Sequence, residues 1–127
     1  MSKYKAKKVT YDGITFDSRK EAKRYVELKL LERAGKIKDL ELQKVFELTP
    51  TQWERIPTGE FYKRGERKGQ PKYKEICLEK SITYKADFYY LENGRQVVED
   101  TKGFKTKDYI IKRKLMLYVH GIQIREV

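Results

Sequence analysis

The sequence predicts a mixed α/β (α+β) fold with the order helix, strands, helix, strand. The main observations behind this prediction are a capped helix and a tight hairpin turn. Ser18 and Glu21 form a capping box that begins the first helix, and Gly35 ends it as a left-handed residue. Asn93-Gly94 is the strongest short-range signal for a β-hairpin and favours a type I′ turn.

A second helix follows the hairpin. Thr106 can cap its first turn, and Asp108 suits the positive end of the helix dipole. Ile111, Leu115 and Tyr118 recur at helical spacing, so we expect them to share one face. The helix should end at glycine 121.

Alternating apolar and polar residues indicate the strands. The predicted strands are 40–48, 75–80, 82–91, 95–101 and 122–127. Residues 49–74 contain all three prolines and have no sustained period. A segment of that length is unusual as a connection, so we expect a functional loop or a partly ordered insertion within a single domain of residues 1–127.

Composition excludes several classes of protein. The chain has 127 residues, of which 39% are hydrophobic, enough for a core that a disordered basic tail would lack. Cys77 and His120 are the only cysteine and histidine, which rules out an intrachain disulfide, a Ser-His-Asp triad and an HExxH zinc site. No apolar run is long enough to span a membrane, and a reducing, cytoplasmic setting is expected.

The charge predicts a nucleic-acid partner. Thirty Lys and Arg face nineteen Asp and Glu, a net charge of +11. Residues 55–75 carry a net +4 and residues 102–114 a net +5, and four lysines crowd the first eight positions. The predicted DNA contacts are Lys63, Arg64, Arg67, Lys68, Lys105, Lys107, Lys112 and Lys114. The alternative is that these cations form only a solvated surface.

Two aromatic residues of the insertion have two interpretations. Trp53 and Tyr62 could stack on unpaired bases, because aromatic rings bind bases of any sequence. The alternative is that they anchor the insertion to the body of the protein.

The hairpin turn sets which residues face each other. A two-residue loop at Asn93-Gly94 places Asp87 opposite Asp100 and Lys85 opposite Lys102. Like charges in such positions are destabilising, and Mg²⁺ between the carboxylates would relieve this because it prefers oxygen ligands. Lys102 could then orient an attacking water. The alternative is that the two lysines only neutralise the aspartates.

The residues around these aspartates resemble a known signature. Thr83 to Phe88 (TYKADF) and Val98 to Gly103 (VEDTKG) look like the PD-(D/E)XK nuclease signature, with Ala86 in place of its proline. The chain as a whole is similar to a family of small phage-encoded proteins that has been linked to Holliday-junction resolvases. The resemblance implies a restriction-endonuclease-like αβββαβ core, with a mixed central sheet flanked by helices.

The resemblance also implies roles for four residues. Asp87 and Asp100 would be metal ligands and Lys102 the catalytic lysine. Glu21 matches the acid that a helix supplies as an additional ligand, although the capping box also explains it. Glu99 is left out of this set, because its side chain should point to the opposite face from Asp100. The implied cofactor is Mg²⁺, for which Mn²⁺ can substitute.

The expected function is therefore a metal-dependent endodeoxyribonuclease of a phage or prophage, acting in the host cytoplasm on branched DNA or Holliday junctions. Cutting two symmetric strands would require a homodimer. One alternative is a nuclease that nicks ordinary duplex DNA in a restriction or transposition system. Another is a DNA-binding module that keeps the fold without its chemistry.

Overall fold

The structure is a computed structural model that describes residues 7–127. It is mixed α+β, which confirms the predicted class at that level. The chain divides into two compact units. The first combines the chain up to Phe46 with Tyr84–Val127, and the second is Glu47–Thr83. No helix among the described residues is long and apolar enough to cross a membrane.

The helices and strands follow one another in this order along the described chain. The helices are α1 (Arg19–Arg33) and α2 (Lys107–Leu115), and a π-helical turn at Met116–His120 continues α2. The strands are β1 (Val9–Tyr11), β2 (Ile14–Phe16), β3 (Lys38–Leu42), β4 (Val45–Thr49), β5 (Gln52–Phe61), β6 (Pro71–Glu79), β7 (Ile82–Lys85), β8 (Phe88–Glu92), β9 (Arg95–Asp100) and β10 (Arg125–Glu126).

Helix α1 begins and ends where the sequence predicts. The backbone of Ser18 is extended, and its hydroxyl accepts a hydrogen bond from the amide of Glu21 at 3.1 Å. Gly35 follows the C-cap with φ of +75°, a left-handed conformation that favours glycine. These two residues fix the length of α1 and leave Glu21 in its first turn.

One buried cluster holds α1 against the central sheet of the first unit. It consists of Phe16, Ala22, Tyr25, Leu28, Ile37, Phe88, Tyr90 and Val97. Full burial of a large apolar side chain stabilises a fold by about 1.5–3 kcal/mol. This packing therefore fixes α1, with any side chain that its inner face carries, against the strands.

The central sheet has the strand order β3, β8, β9 and β10. Strand β8 is antiparallel to both β3 and β9, whereas β10 is parallel to β9. The β8–β9 register runs from Phe88 opposite Glu99 to Glu92 opposite Arg95, as the Asn-Gly turn predicts. The register prediction is therefore confirmed along the whole of this ladder.

Three predicted strands are wrong in extent. Residues 40–48 form two strands instead of one, because Gln43 adopts φ of +58° and turns the chain between β3 and β4. Residues 82–91 are divided between β7 and β8 by Ala86 and Asp87. Only two residues of the predicted strand 122–127 pair as β10. Alternation alone does not reveal such interruptions, since the pattern of apolar and polar residues continues through them.

The first unit also contains a hairpin that the sequence analysis missed. Strands β1 and β2 pair across Asp12-Gly13, whose φ values are +53° and +73°. Asp-Gly is a strong signal for this kind of turn. The strands are only three residues long, too short for a clear alternation.

Helix α2 has the predicted ends but a different buried face. The hydroxyl of Thr106 accepts a hydrogen bond from the amide of Tyr109, and Gly121 ends the π-helical turn with φ of +69°. The predicted face is wrong, because Ile111 and Tyr118 are exposed. The side chains that are buried are Tyr109 and Met116. Residues seven positions apart also share one face of a helix. Periodicity therefore did not distinguish the face of Tyr109 and Met116 from the predicted face of Ile111, Leu115 and Tyr118.

The second unit has as its main element a two-stranded hairpin of β5 and β6. Arg55 pairs with Glu75 and Pro57 with Tyr73, and the register shifts between Pro57 and Phe61. The predicted insertion at about 49–74 therefore contains extended strands, although no alternation of apolar and polar residues predicted them. None of the residues in β5 or β6 is buried, and this explains the absence of an apolar alternation.

Candidate functional site

Three acidic side chains of the first unit interact at one end of the β8–β9 hairpin. Asp87 lies just before β8, Asp100 is the last residue of β9, and Glu21 belongs to the first turn of α1. Burial raises the pKa of both Glu21 and Asp100, and the charge of Asp87 raises both further, with Asp17 and Asp100 adding to the effect at Glu21. The chain thus brings together the three predicted metal ligands, which we call the carboxyl cluster.

Asp87 and Asp100 do not face each other as a ladder pair, which corrects the prediction in detail. The ladder ends at Phe88 opposite Glu99, because Asp87 lies in a bend outside β8. Lys85 belongs to β7 instead, so it is not opposite Lys102. The two aspartates nevertheless remain close enough for their charges to interact.

Asp100 is the most buried member of the carboxyl cluster. Its side chain is 1% exposed, and its Oδ2 accepts a hydrogen bond of 2.5 Å from the Tyr84 hydroxyl. Its Oδ1 is also buried but receives no hydrogen bond. Loss of solvation is the main cause that raises the pKa of Asp100 to about 6, and the charge of Asp87 adds to it.

Asp87 is held by a residue of the segment that follows β9. Its Oδ2 accepts hydrogen bonds from both the amide and the hydroxyl of Thr101, each at 2.9 Å. These two bonds fix the carboxylate although Asp87 lies outside a strand. The backbone carbonyl of Asp87 also accepts from the amide of Gln43 at 3.2 Å.

Glu21 serves as the N3 residue of the helix cap and as a member of the carboxyl cluster. Its side chain is buried, and the Gln43 amide Nε2 lies 3.4 Å from its Oε1. Burial raises the pKa of Glu21 to about 7, with further contributions from Asp87 and Asp17. The local explanation and the functional one are therefore compatible, because the same side chain has both sets of neighbours.

A cation lies beside the carboxyl cluster. The ammonium Nζ of Lys102 is 3.6 Å from Asp100 Oδ1 and 5.2 Å from the centre of the Tyr109 ring. A cavity of about 280 Å³ opens beside Glu21, and Gln43 and Lys85 are among the residues that line it. Solvent or a small ligand group can therefore approach the cluster at Glu21.

The oxygen donors suit a hard divalent cation. Asp100 Oδ1 is a buried acceptor without a hydrogen-bond donor, and Asp87 and Glu21 supply further carboxylate oxygens nearby. Within residues 7–127, however, no group of three or more His, Cys, Asp or Glu side chains has the spacing of a formed metal site. The donor chemistry fits Mg²⁺, whereas the spacing is not that of an assembled coordination sphere.

A family comparison covers almost the whole chain. The model described as "Protein of unknown function (DUF1064)" matches residues 1–125. The chain belongs to this family. Neither the curated proteins nor the solved structures gave a match. The family description names no activity, so the function is argued from the site itself.

A second polar network lies next to the carboxyl cluster and was not predicted. Glu99 is fully buried, and the guanidinium of Arg24 donates to both of its carboxylate oxygens at 2.7 Å. Tyr90 also donates its hydroxyl to Glu99, and Arg125 Nη1 donates to the Tyr90 oxygen at 3.1 Å. This network links α1 to β9 through Arg24 and Glu99. Arg24 lies three residues after Glu21 along α1.

Glu99 thus has different partners from Asp100, in line with its exclusion from the predicted set. Asp100 contacts Tyr84 and Lys102, whereas Glu99 contacts Arg24 and Tyr90. Because Glu99 is satisfied by a bidentate arginine, it has little capacity left for a metal ion.

The predicted DNA contacts fall in two places. Lys63, Arg64, Arg67 and Lys68 lie at or near the turn between β5 and β6, where all four are exposed. Lys105 and Lys107 lie at the start of α2, and Lys112 and Lys114 in its last turns. Lys105 forms an ion pair with Glu126 at 3.4 Å. Of the lysines near residue 1, Lys3 and Lys5 lie outside the described residues.

Tyr84 and Thr101 are the neighbours of the carboxyl cluster that sequence analysis missed. Tyr84 is three positions before Asp87, so one continuous strand would place the two side chains on opposite faces. The break at Ala86 and Asp87 removes this alternation and lets Tyr84 reach Asp100. Thr101 lies directly after Asp100, and only its hydrogen bonds identify its role.

Proposed function

We propose that this protein is a metal-dependent endodeoxyribonuclease that hydrolyses phosphodiester bonds of branched DNA. The observation that carries the proposal is the carboxyl cluster with Lys102 beside it. A structural role alone gives no reason to gather Glu21, Asp87 and Asp100, because like charges in a poorly solvated place destabilise the fold. The net charge of +11 supports a polyanionic substrate.

The order of elements supports a restriction-endonuclease-like core. Apart from the β1–β2 hairpin, the separate β4–β7 pair and the β5–β6 hairpin, the elements follow one another as α1, β3, β8, β9, α2 and β10. This is the αβββαβ order that the resemblance implies. Its mixed sheet, with only the last strand parallel to its neighbour, also agrees with the proposal.

In this proposal Asp87, Asp100 and Glu21 hold Mg²⁺ or Mn²⁺. When bound, such an ion neutralises charge on the phosphate and lowers the pKa of a water. Lys102 stabilises the charge that develops at the scissile phosphate, and its ammonium is already held near Asp100. Tyr84 and Thr101 orient the two aspartates through their hydrogen bonds.

Two DNA substrates are compatible with the carboxyl cluster, a branched junction and a plain duplex. A phage or prophage resolvase that acts in the host cytoplasm as a homodimer on Holliday junctions agrees with the resemblance and with the basic surfaces. A duplex-nicking enzyme would use the same carboxyl cluster. Only the DNA substrate distinguishes the two.

Labelled junction, flap, duplex and single-stranded DNA, each with Mg²⁺, Mn²⁺ or EDTA, test the proposal. We expect symmetric nicking of the junction with either metal and none in EDTA. Asp100→Asn should abolish cutting, whereas Asp108→Asn, which removes one exposed carboxylate from α2, should not. Binding without cutting of any substrate would contradict the nuclease and favour a DNA-binding module. Cutting of plain duplex alone would contradict the junction substrate.

A further inference from the structure

The second unit has a cleft of its own, on one face of the β5–β6 hairpin. Its volume is about 610 Å³, and its lining includes Arg55, Tyr62, Arg67, Gln70, Tyr73 and Glu75. The strand register explains how they come together. Arg55 pairs with Glu75 and Pro57 with Tyr73, and side chains two residues apart share a face.

Cationic groups lie against the aromatic rings of this cleft. The Arg55 guanidinium carbon is 4.2 Å from the centre of the Tyr73 ring. The Arg67 guanidinium carbon and the Lys72 ammonium are 5.7 Å and 5.4 Å from the centre of the Tyr62 ring. Such contacts restrain long side chains and present flat groups that carry positive charge.

Two aromatic side chains of the β5–β6 hairpin are largely exposed. Tyr73 is 46% exposed and Trp53 is 57% exposed, and no residue of β5 or β6 is buried. Trp53 pairs with Cys77, which places it on the same face as Arg55 and Tyr73. Exposed aromatic rings clustered with arginines indicate a surface that a ligand covers.

The charge of the hairpin identifies the class of ligand. The whole hairpin, Gln52–Glu79, carries a net +2, and its positive charge is concentrated at the turn, where residues 62–70 carry a net +3 that suits a polyanion. Within the cleft, however, Glu75 lies beside Arg55 and would repel a phosphate. A carboxylate can instead accept a hydrogen bond from an N–H group on the Watson–Crick edge of an unpaired base, such as the N3–H of thymine or uracil. The cleft therefore suits a flat, uncharged base, while the cations of the neighbouring turn suit the phosphates.

We propose that this face of the β5–β6 hairpin binds the unpaired bases of a single-stranded nucleic acid. The bases stack on Tyr62, Tyr73 and the guanidinium of Arg55, as they do on aromatic and arginine platforms in general. Lys63, Arg64 and Lys68 contact the phosphates. This binding is independent of the proposed nuclease activity, because it uses none of the carboxyl cluster and needs no metal.

The single tryptophan of the chain provides a direct measurement, since Trp53 lies on the proposed face. The 127-residue protein, in EDTA, is titrated with oligo-dT of about 20 nucleotides, longer than the site of a typical single-strand-binding module. An abasic strand of equal charge and a duplex are titrated in parallel. We expect oligo-dT to quench Trp53 and to bind about fivefold or more tighter than the abasic strand. A parallel titration with oligo-U tests whether a ribose backbone changes the affinity.

Matched variants locate the binding. Tyr73→Ala should weaken oligo-dT binding about fivefold or more and leave abasic binding unchanged, whereas Tyr73→Phe should bind as the wild type does. Tyr118→Ala removes an exposed tyrosine of the first unit and should have no effect. Equal affinity of the wild type for oligo-dT and the abasic strand would overturn the proposal whatever the variants do. Equal affinity of Tyr73→Ala and Tyr118→Ala for oligo-dT would also overturn it.

Discussion

Asp100 is almost completely removed from solvent, yet one of its carboxylate oxygens receives no hydrogen bond. A buried acceptor of this kind normally receives a hydrogen bond, whereas the Lys102 ammonium that pairs with this oxygen is 3.6 Å away, too far for one. Asp87 and Glu21 add two further carboxyl groups to the same place. The individual side chains of the cluster are therefore arranged at the expense of stability, which a bound cation would restore.

The pH dependence of stability should reveal the strain at Glu21. Its folded pKa is raised from 4.5 to about 7, so the folded state holds a proton that the unfolded state releases. This contribution is fully present below pH 4.5 and is lost as the pH rises through about 7. We expect Glu21→Gln to remove on the order of 2 kcal/mol of the fall in unfolding free energy between pH 5 and 8, measured by urea denaturation in EDTA.

Ser18→Ala is the control for that experiment, because it removes the cap without removing the carboxyl group. It should lower stability equally at both pH values. The same pH slope in Glu21→Gln and in the wild type would mean that Glu21 is ionised in the fold and contributes no strain.

A substitution at Lys102 tests whether this side chain takes part in catalysis or only balances the charge of Asp100. Lys102→Ala should lower the cleavage rate by orders of magnitude, because the ammonium stabilises charge that develops only in the transition state. DNA affinity and Mg²⁺ affinity should persist. Lys36→Ala, which removes an exposed lysine after α1, is the matched control. Cleavage within a few-fold of the wild type would assign Lys102 the role of neutralising Asp100.

Secondary-structure elements, in contrast, are specified mainly by their ends. Ser18 and Gly35 define α1, and Asn93-Gly94 defines the β8–β9 register, so these features could be predicted from local chemistry. The interruptions of the strands at Gln43 and at Asp87 could not be predicted from local chemistry. A polar residue in an alternating stretch fits a strand as well as a turn, and long-range packing decides between them.

The same limit applies to the candidate site. The hairpin register brought Asp87 and Asp100 together in the prediction, and the resemblance added Glu21. The hydrogen bonds from Tyr84 and Thr101 depend on the break before β8, which has no signature in the sequence. The buried partners of Glu99 likewise come from separate elements that only the fold brings together.

The cap of α2 provides a test at the level of one element. Thr106→Ala removes the hydroxyl that accepts from the amide of Tyr109, and should lower the unfolding free energy by about 1 kcal/mol. Thr106→Ser keeps the acceptor and should remain close to the wild type in the same thermal unfolding experiment. An equal loss in both variants would show that the methyl group, and not the cap, matters.

The turn of the β5–β6 hairpin should contribute to DNA affinity through its charge. A variant with serine at four positions together should bind DNA more weakly. The positions are Lys63, Arg64, Arg67 and Lys68. The log–log slope of affinity against salt should become shallower by about 0.9 for each phosphate that the variant no longer neutralises. Fluorescence anisotropy of a labelled duplex at several salt concentrations measures this slope. An unchanged slope would mean that these exposed cations are only solvated.

Considered as a whole, the protein combines a large positive charge with one buried group of acids. Thirty basic residues could have neutralised the carboxyl cluster, yet Lys102 is the only cation that the described ion pairs place at Asp87, Asp100 or Glu21. This contrast between a basic molecule and a poorly compensated acidic centre is the basis of the proposed metal site. The acids attract a cation while the basic surfaces attract the DNA.

Thermal unfolding with and without metal tests the central claim, that the carboxyl cluster binds a divalent cation. Mg²⁺ should raise the Tm of the wild type, because it binds only the folded state. Asp87→Asn should lose this rise, yet be at least as stable in EDTA as the wild type, because it removes a charge that disfavours the ionised form of Asp100. Asp108→Asn should keep the rise. No gain from Mg²⁺ or Mn²⁺ in the wild type, or an equal gain in Asp87→Asn, would contradict the claim.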